Sequence, residues 1–304
     1  MKILCATDPS SNSESAIDRA GMLAKHLGAD LLLLHVVSPL ESDQMLEQEF
    51  LCASGQLKWR ASPPSWRFDQ PSNVYVRVGN PTRVLIETMK KLRPDLIVVG
   101  RHQRSAWDCL VGTMAIRVLS ERKCPVLIVD NISSDAYRNI LLALDGTKAS
   151  LDALRVAEAL VVKDGVRATI VHAYRSPYDG ALSSIGIAGD VVPRYSSKWT
   201  YDGGSVLRSL LMEVSNDFAR YDLVVEKADP VATIQKAVRR LNPDLLVLGT
   251  HGRGRLGRAL VGSVANRVMT TAVCDVLVVP DPTVSITWRS ARVDRPSLNV
   301  VSGA

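Results

Sequence analysis

Four short segments of the chain are apolar at every position: Leu96 to Val99, Val126 to Val129, Leu245 to Leu248 and Val276 to Val279. A strand with one wet face alternates, whereas an unbroken apolar run of this length predicts a strand of a parallel sheet covered by helices on both faces. Elsewhere apolar residues recur at helical spacing. Ile17, Ala20, Ala24 and Leu27 follow the capping-box pair Ser11 and Glu14 and stop at Gly28. Pro81-Thr82 opens a second helix through Val84, Leu85 and Leu92 that Pro94 ends; Pro230, Ile234, Ala237 and Val238 repeat the pattern up to Pro243. Strands alternating with helices predict an α/β protein with a doubly wound, Rossmann-like parallel sheet.

The pattern occurs twice. Asp8 follows an apolar run as Asp145 does, 137 residues later, and His35 and His172 keep the same offset. Pro94-Asp95-Leu96 matches Pro243-Asp244-Leu245, and Gly100 matches Gly249, at 149; Cys124-Pro125-Val126-Leu127 matches Cys274-Asp275-Val276-Leu277 at 150. Offsets that hold over whole segments and step only in loops indicate duplication. The expected units are residues 1–134 and 135–281, followed by a basic, poorly ordered tail over 282–304. The two copies are expected to pack about a pseudo-twofold axis through their last strands, whose apolar edges would otherwise stay open. Two long connections, Pro39 to Asn73 and Arg175 to Ser205, carry no catalytic pattern and read as surface loop or interface.

Composition narrows the class. Hydrophobic residues make up 46% and charged residues 22%, a globular balance. The five cysteines form no Cys-x-x-Cys pair, which favours a reducing compartment. No signal-peptide core or membrane-length apolar run is present, so a cytoplasmic location is expected, with no membrane partner. The net charge of +6 is small beside 37 basic and 31 acidic residues and implies no nucleic acid.

The candidate chemistry lies in one glycine pattern. Leu248 runs into Gly249, Gly252 follows after two intervening residues, and Gly262-Ser263 stands at a helix start after nine more intervening residues. A strand leading through glycines to a helix N-terminus offers main-chain N–H groups and a positive dipole end to a phosphate. In the first copy Gly100 and Gly112-Thr113 remain, but Gln103 replaces the second glycine and the spacer is one residue shorter. The overlapping Gly252-x-Gly254-x-x-Gly257 matches a dinucleotide fingerprint only on paper: it follows the fourth strand of its copy, and Asp275 precedes the next strand instead of ending it. There is no Walker sequence and no Cys/His metal spacing.

With its Asp8 and Asp145 strand ends, Pro-Asp-Leu strands, closing Cys-x-Val-Leu-x-Val strands and the glycine pattern, the chain resembles the universal stress protein family in its tandem form, from Met1 to about Pro280. The resemblance implies ATP bound in the second copy, with magnesium held by phosphates and water and Asp145 as a protein contact. Ala143, Asp145 and the backbone near Ala173 would border the adenosine end; Leu248, Gly249, His251 and Gly252 would line the ribose and phosphate approach; Gly262, Ser263 and Val264 would hold the phosphates. Arg253, Arg255 and Arg258 could pair with outer phosphates or stand as solvated loop charges. Copy one should fall short, because Gln103 and Trp107 fill the approach, although Arg101, Arg104 and Gly112-Thr113 keep anion-binding groups. His35 and His172 read as structural, and His251 as shaping the loop.

The resemblance implies a stress-responsive regulator or sensor with an unnamed protein partner; the chain is expected to be pseudo-dimeric by itself and able to pair further into a homodimer. A slow ATPase or phosphotransferase using the same pocket, or a nucleotide-free scaffold, are the rival readings.

Overall fold

A computed structural model describes residues 1–8, 11–40, 42–61, 73–101, 110–130, 136–161, 166–174, 207–209, 211–214, 220–250 and 261–280. The first copy comprises β1 (Lys2–Thr7), α1 (Ser11–Leu27), β2 (Asp30–Val37), α2 (Asp43–Ala61), β3 (Asn73–Val78), α3 (Pro81–Leu92), β4 (Leu96–Gly100), α4 (Leu110–Ser120) and β5 (Val126–Val129). The second comprises β6 (Asn139–Ala143), α5 (Lys148–Val161), β7 (Arg167–Tyr174), β8 (Tyr221–Lys227), α6 (Pro230–Leu241), β9 (Leu245–Gly249), α7 (Ser263–Thr271) and β10 (Asp275–Val279). The fully apolar runs are the central strands, as the pattern predicts.

All ten strands join one sheet in the order β3-β2-β1-β4-β5-β10-β9-β6-β7-β8. Every described pairing is parallel except β5 with β10, which is antiparallel. There Leu127 faces Leu277, flanked by Val126 with Val278 and Ile128 with Val276. Since Leu127 and Leu277 are equivalent positions of the repeat, the pairing is self-complementary about them, as an isologous interface requires. Successive strand residues point to opposite faces. Ile3, Cys5, Ile140 and Leu142 therefore pack on one side with α1, α2 and α5, and Leu4, Leu141 and Leu246 on the other with α3, α4, α6 and α7.

Helix ends explain the punctuation. Asn80 accepts from Arg83 N at 3.1 Å and caps α3, and Asp229 accepts from Ala232 N at 3.0 Å and caps α6, each just ahead of the proline. Both helices stop at a left-handed residue, Arg93 (φ 49°) and Asn242 (φ 45°), one position before the proline expected to end them. Helix α1 begins at Ser11 itself, so that residue sits within the first turn. The Asp of each Pro-Asp-Leu motif is structural: Lys2 N donates to Asp95 at 2.7 Å, and Arg138 N and Asn139 N donate to Asp244 at 2.8 and 3.0 Å, tying β4 and β9 to the starts of β1 and β6.

One expectation is corrected. The connection from Pro39 to Asn73 holds a 19-residue helix, α2, which buries Ala53, Leu57 and Ala61. Its outward side is also apolar, with Met45, Leu51 and Trp59 exposed, so no amphipathic stripe marks it in the sequence. The connection from Arg175 to Ser205 lies outside the described residues, as does the tail after Pro280. Beyond it Leu207 and Leu211 are buried.

A buried polar network crosses the boundary between copies. Arg19 Nε lies 3.1 Å from Asp275 Oδ2, with both side chains buried. Tyr137 Oη donates to Asp275 Oδ2 at 2.7 Å, and Asp130 N donates to Asp275 Oδ1 at 2.9 Å. The Arg19 guanidinium carbon stacks 4.2 Å from the Tyr137 ring centre. Arg19 and Asp130 belong to the first copy, Asp275 to the second, and Tyr137 to the junction, so this one carboxylate ties them together.

Burial governs the cysteines. It pushes the thiols of Cys5, Cys124 and Cys274 up to about 12 from 9.0, while Cys52 is exposed on α2. Thiolate is the reactive form, so limited alkylation at neutral pH followed by peptide mapping should modify Cys52 well before those three. Because the folded-state values lie above the unfolded ones, their contribution to stability is complete below about pH 9 and is lost as pH rises toward 12. Denaturant midpoints should fall across that window.

Candidate functional site

In an open α/β sheet the ligand crevice lies beyond the carboxyl ends of the strands where the strand order reverses. In the second copy this is the junction of β6 and β9, where Ala143 pairs with Leu248. Leu144 N donates to Val171 O at 3.1 Å, which brings the neighbouring Ala173 of β7 to the same end of the sheet. Thr250 N donates to Val279 O at 3.0 Å, and Gly262 N donates back to Thr250 O at 2.6 Å. The start of α7 is thereby fastened over the end of β9. Ala143, Asp145, Ala173, Leu248, Gly249, Gly262, Ser263 and Val264 thus gather at one end of the sheet, while His251, Gly252, Arg253, Arg255 and Arg258 lie outside the described residues.

Asp145 is held from one side only. Thr147 N, Thr147 Oγ1 and Ser150 Oγ all donate to its Oδ1, at 3.1, 2.6 and 2.6 Å. Among the described residues its Oδ2 takes no such bond, so this oxygen is the one available to a ligand. The turn depends on Gly146, whose φ of 79° is left-handed. The first copy has Pro9 at the matching position, and a proline ring fixes φ near −65°. That turn cannot be reproduced there, a difference readable in the sequence that the glycine pattern alone did not reveal.

Helix α7 starts differently from α3 and α6 of its layer. Its N-cap, Gly262, makes no side-chain capping bond, whereas α3 and α6 are capped by Asn80 and Asp229. The first-turn N–H groups therefore lack the partner that a helix start ordinarily supplies. Ser263 is exposed and Val264 half-buried. Beside them an open cleft of about 700 Å³ runs between the starts of α6 and α7, lined by Asp229, Pro230, Ser263, Val264, Asn266 and Arg267. That volume is in the range of small-molecule sites.

Gly249 has a further reason to be glycine. A Cβ there would come within 3.2 Å of the Ala149 Cβ and 3.4 Å of the Ala149 carbonyl, in the first turn of α5. Close packing of helix on strand, next to the loop that carries Asp145, excludes a side chain. Gly249→Val is expected to lower stability by about 1–3 kcal/mol through overpacking, measured as a shifted midpoint with unchanged slope in a urea titration.

The two matched histidines are structural. His35 Nδ1 lies 2.9 Å from Thr7 O, and His172 Nδ1 lies 2.8 Å from Leu144 O, all buried. A carbonyl only accepts, so each Nδ1 carries the proton and fixes the strand end that leads into Asp8 or Asp145.

The described residues of the first copy are arranged differently. Beside Thr7, Asp8 and His35 the α2 residues Ala53, Gln56, Leu57 and Arg60 close the space to about 10 Å³, room for one water at most. Arg101 does not stand ready for an anion as its sequence position suggests: its Nε pairs with Asp130 at 2.8 Å and its Nη1 donates to Met269 O at 3.0 Å. It is engaged at the boundary between copies. Gln103, Arg104 and Trp107 lie outside the described residues. Among the described residues no cluster of three or more His, Cys, Asp or Glu is disposed to hold a metal, and no helix is long and apolar enough to cross a membrane.

Comparison with known proteins gives one consistent match. The sequence profile of the universal stress protein family matches residues 1–130 and again 136–280. A universal stress protein of Mycolicibacterium smegmatis is 26% identical over 299 residues, covering 91% of this chain and 96% of its own. Universal stress protein A homolog 1 of Coxiella burnetii is 33% identical over 141 residues, covering 42% of this chain and 94% of its own. The crystal structure of a universal stress protein from Archaeoglobus fulgidus superposes with a TM-score of 0.67 at 19% identity, over 92% of this chain and 98% of that one. At that identity the last match speaks for the fold.

Proposed function

We infer that this chain, which belongs to the universal stress protein family and carries its domain twice, binds ATP in the second copy and acts as a nucleotide-responsive regulator. The observation that carries the reading is the uncapped start of α7 at the strand switch point, beside a cleft of about 700 Å³. Phosphates would take the amides of Ser263 and Val264 and the Ser263 hydroxyl; the unfilled Oδ2 of Asp145 would meet the ribose or a phosphate-bound magnesium ion; Ala143, Ala173 and Leu248 would border the base and sugar. His251, Gly252 and Arg253 complete the set by resemblance. Hydrogen bonds to charged groups contribute roughly 1.5–3 kcal/mol each, so a few amides and a partly buried base can reach the roughly −8 kcal/mol of micromolar binding.

Regulation follows from differential affinity. A ligand that bridges the ends of β6 and β9 to α7 shifts a conformational equilibrium only by the difference in its affinity for the two states. The reading needs no catalysis. Incubation with labelled ATP tests this: nucleotide retained without sustained turnover agrees with it. Turnover above background that disappears in Gly262→Asp would replace the regulator with an ATPase.

A further inference from the structure

Helix α7 is held at both ends, and the two holds come from equivalent positions of the two copies. At its N-terminus the backbone carbonyl of Thr250 accepts from Gly262 N at 2.6 Å. At its C-terminal end the Arg101 guanidinium, from the first copy, donates to the carbonyl of Met269 at 3.0 Å. Thr250 and Arg101 stand immediately after Gly249 and Gly100. They share a backbone role: Thr250 N donates to Val279 O at 3.0 Å and Arg101 N to Val129 O at 2.7 Å. Only the side-chain roles have diverged, Thr250 being buried within its copy and Arg101 reaching across the boundary.

The reach is fixed rather than incidental. Arg101 Nε is 2.8 Å from Asp130 Oδ1, the Arg101 side chain is only 14% exposed, and the backbone N–H of Asp130 donates to the buried Asp275. The guanidinium therefore has one orientation, set by the network that joins the copies. Met269 O is among the last carbonyls of α7, which have no intrahelical N–H to accept from. A cation there stabilises the helix by its charge as well as by the bond. With 9 residues, α7 is short enough that helical order is marginal without such contacts, and loss of order at its end reaches the first-turn amides within about two turns.

We propose that Arg101 is a positioning residue for the nucleotide site of the second copy, so that the first copy, unfit to bind nucleotide itself, sets the affinity of its twin by clamping α7. The proposal rests on the nucleotide reading above. Its test compares the full chain with Arg101→Met and Arg101→Lys, using calorimetric titration with magnesium-ATP and backbone hydrogen exchange of residues 266–272 without nucleotide. Arg101→Met should speed exchange there and weaken ATP binding, each by about fivefold to tenfold. Exchange in β5 and β10 should stay at wild-type rates, and Arg101→Lys, which keeps the charge, should fall between. Wild-type binding with Arg101→Met equal to it within twofold overturns the proposal, as does faster exchange in β5 and β10 to the same degree as in α7, which would make Arg101 an interface residue alone. A wild-type chain that binds no magnesium-ATP removes the nucleotide reading and this inference with it, a result distinct from either. Should Arg101→Met fail to fold, Asp130→Asn, which removes only the carboxylate that orients the guanidinium, gives the same readouts with the same expected direction.

Discussion

Asp275→Ala should lower the stability of the chain by about 3–5 kcal/mol in a urea titration, the cost typical of removing one partner from a buried ion pair. Three groups lose their acceptor at once. Arg19 would keep a buried positive charge with its carboxylate gone, and the Tyr137 hydroxyl and Asp130 N–H would lose bonds of 2.7 and 2.9 Å. Because these groups come from both copies and the junction, the loss should appear as weakened pairing of β5 with β10, seen as faster hydrogen exchange in those strands. Asp275→Asn, which keeps an acceptor but not the charge, should cost less. A loss below about 1 kcal/mol for Asp275→Ala would mean that the network behaves as an exposed ion pair does.

The second large effect separates stability from binding. Gly262 has φ −53° and ψ 148°, which any residue can adopt, so Gly262→Asp introduces no backbone strain. An aspartate is among the best N-caps and should leave α7 as stable or a few tenths of a kcal/mol more so. The same carboxylate would take the amides meant for phosphate and repel its charge, so ATP affinity should fall at least about a hundredfold, or roughly 2.7 kcal/mol. An unchanged melting temperature together with lost binding would mark the start of α7 as a site kept uncapped for its ligand. Unchanged binding would place the phosphates elsewhere.

Much of this architecture was legible beforehand because it rests on local pattern. Continuous apolar runs identified the central strands, proline and glycine bracketed α1, α3 and α6, matched offsets revealed the duplication, and the open apolar edges of the last strands pointed to their packing together. What escaped was either hidden by composition or made of residues far apart in sequence. Helix α2 is apolar on two sides, so periodicity could not separate its buried Ala53 and Leu57 from its exposed Met45 and Trp59. The boundary network joins Arg19, Asp130, Tyr137 and Asp275, and only the fold brings them together. Its one sequence signal was a carboxylate opening an apolar strand where the other copy has Pro125.

The candidate site divides the same way. Its strand ends and helix start were readable from glycine spacing. The local reason for Gly249, packing on Ala149, needed the geometry of the partner segment, whereas Pro9 opposite Gly146 stood in the sequence and gained its meaning from the left-handed φ of that glycine. Arg101 shows the limit of reading by analogy. As the counterpart of a loop residue it suggested residual anion binding, yet its guanidinium belongs to the neighbouring copy.

The central claim is that one copy keeps a phosphate cradle and the other has lost it. A calorimetric titration of the intact chain with magnesium-ATP, at protein concentrations of tens of micromolar, tests both halves together. The expected result is a single site per chain with micromolar affinity, abolished by Gly262→Asp. Absence of heat, or two equal sites per chain, would contradict it.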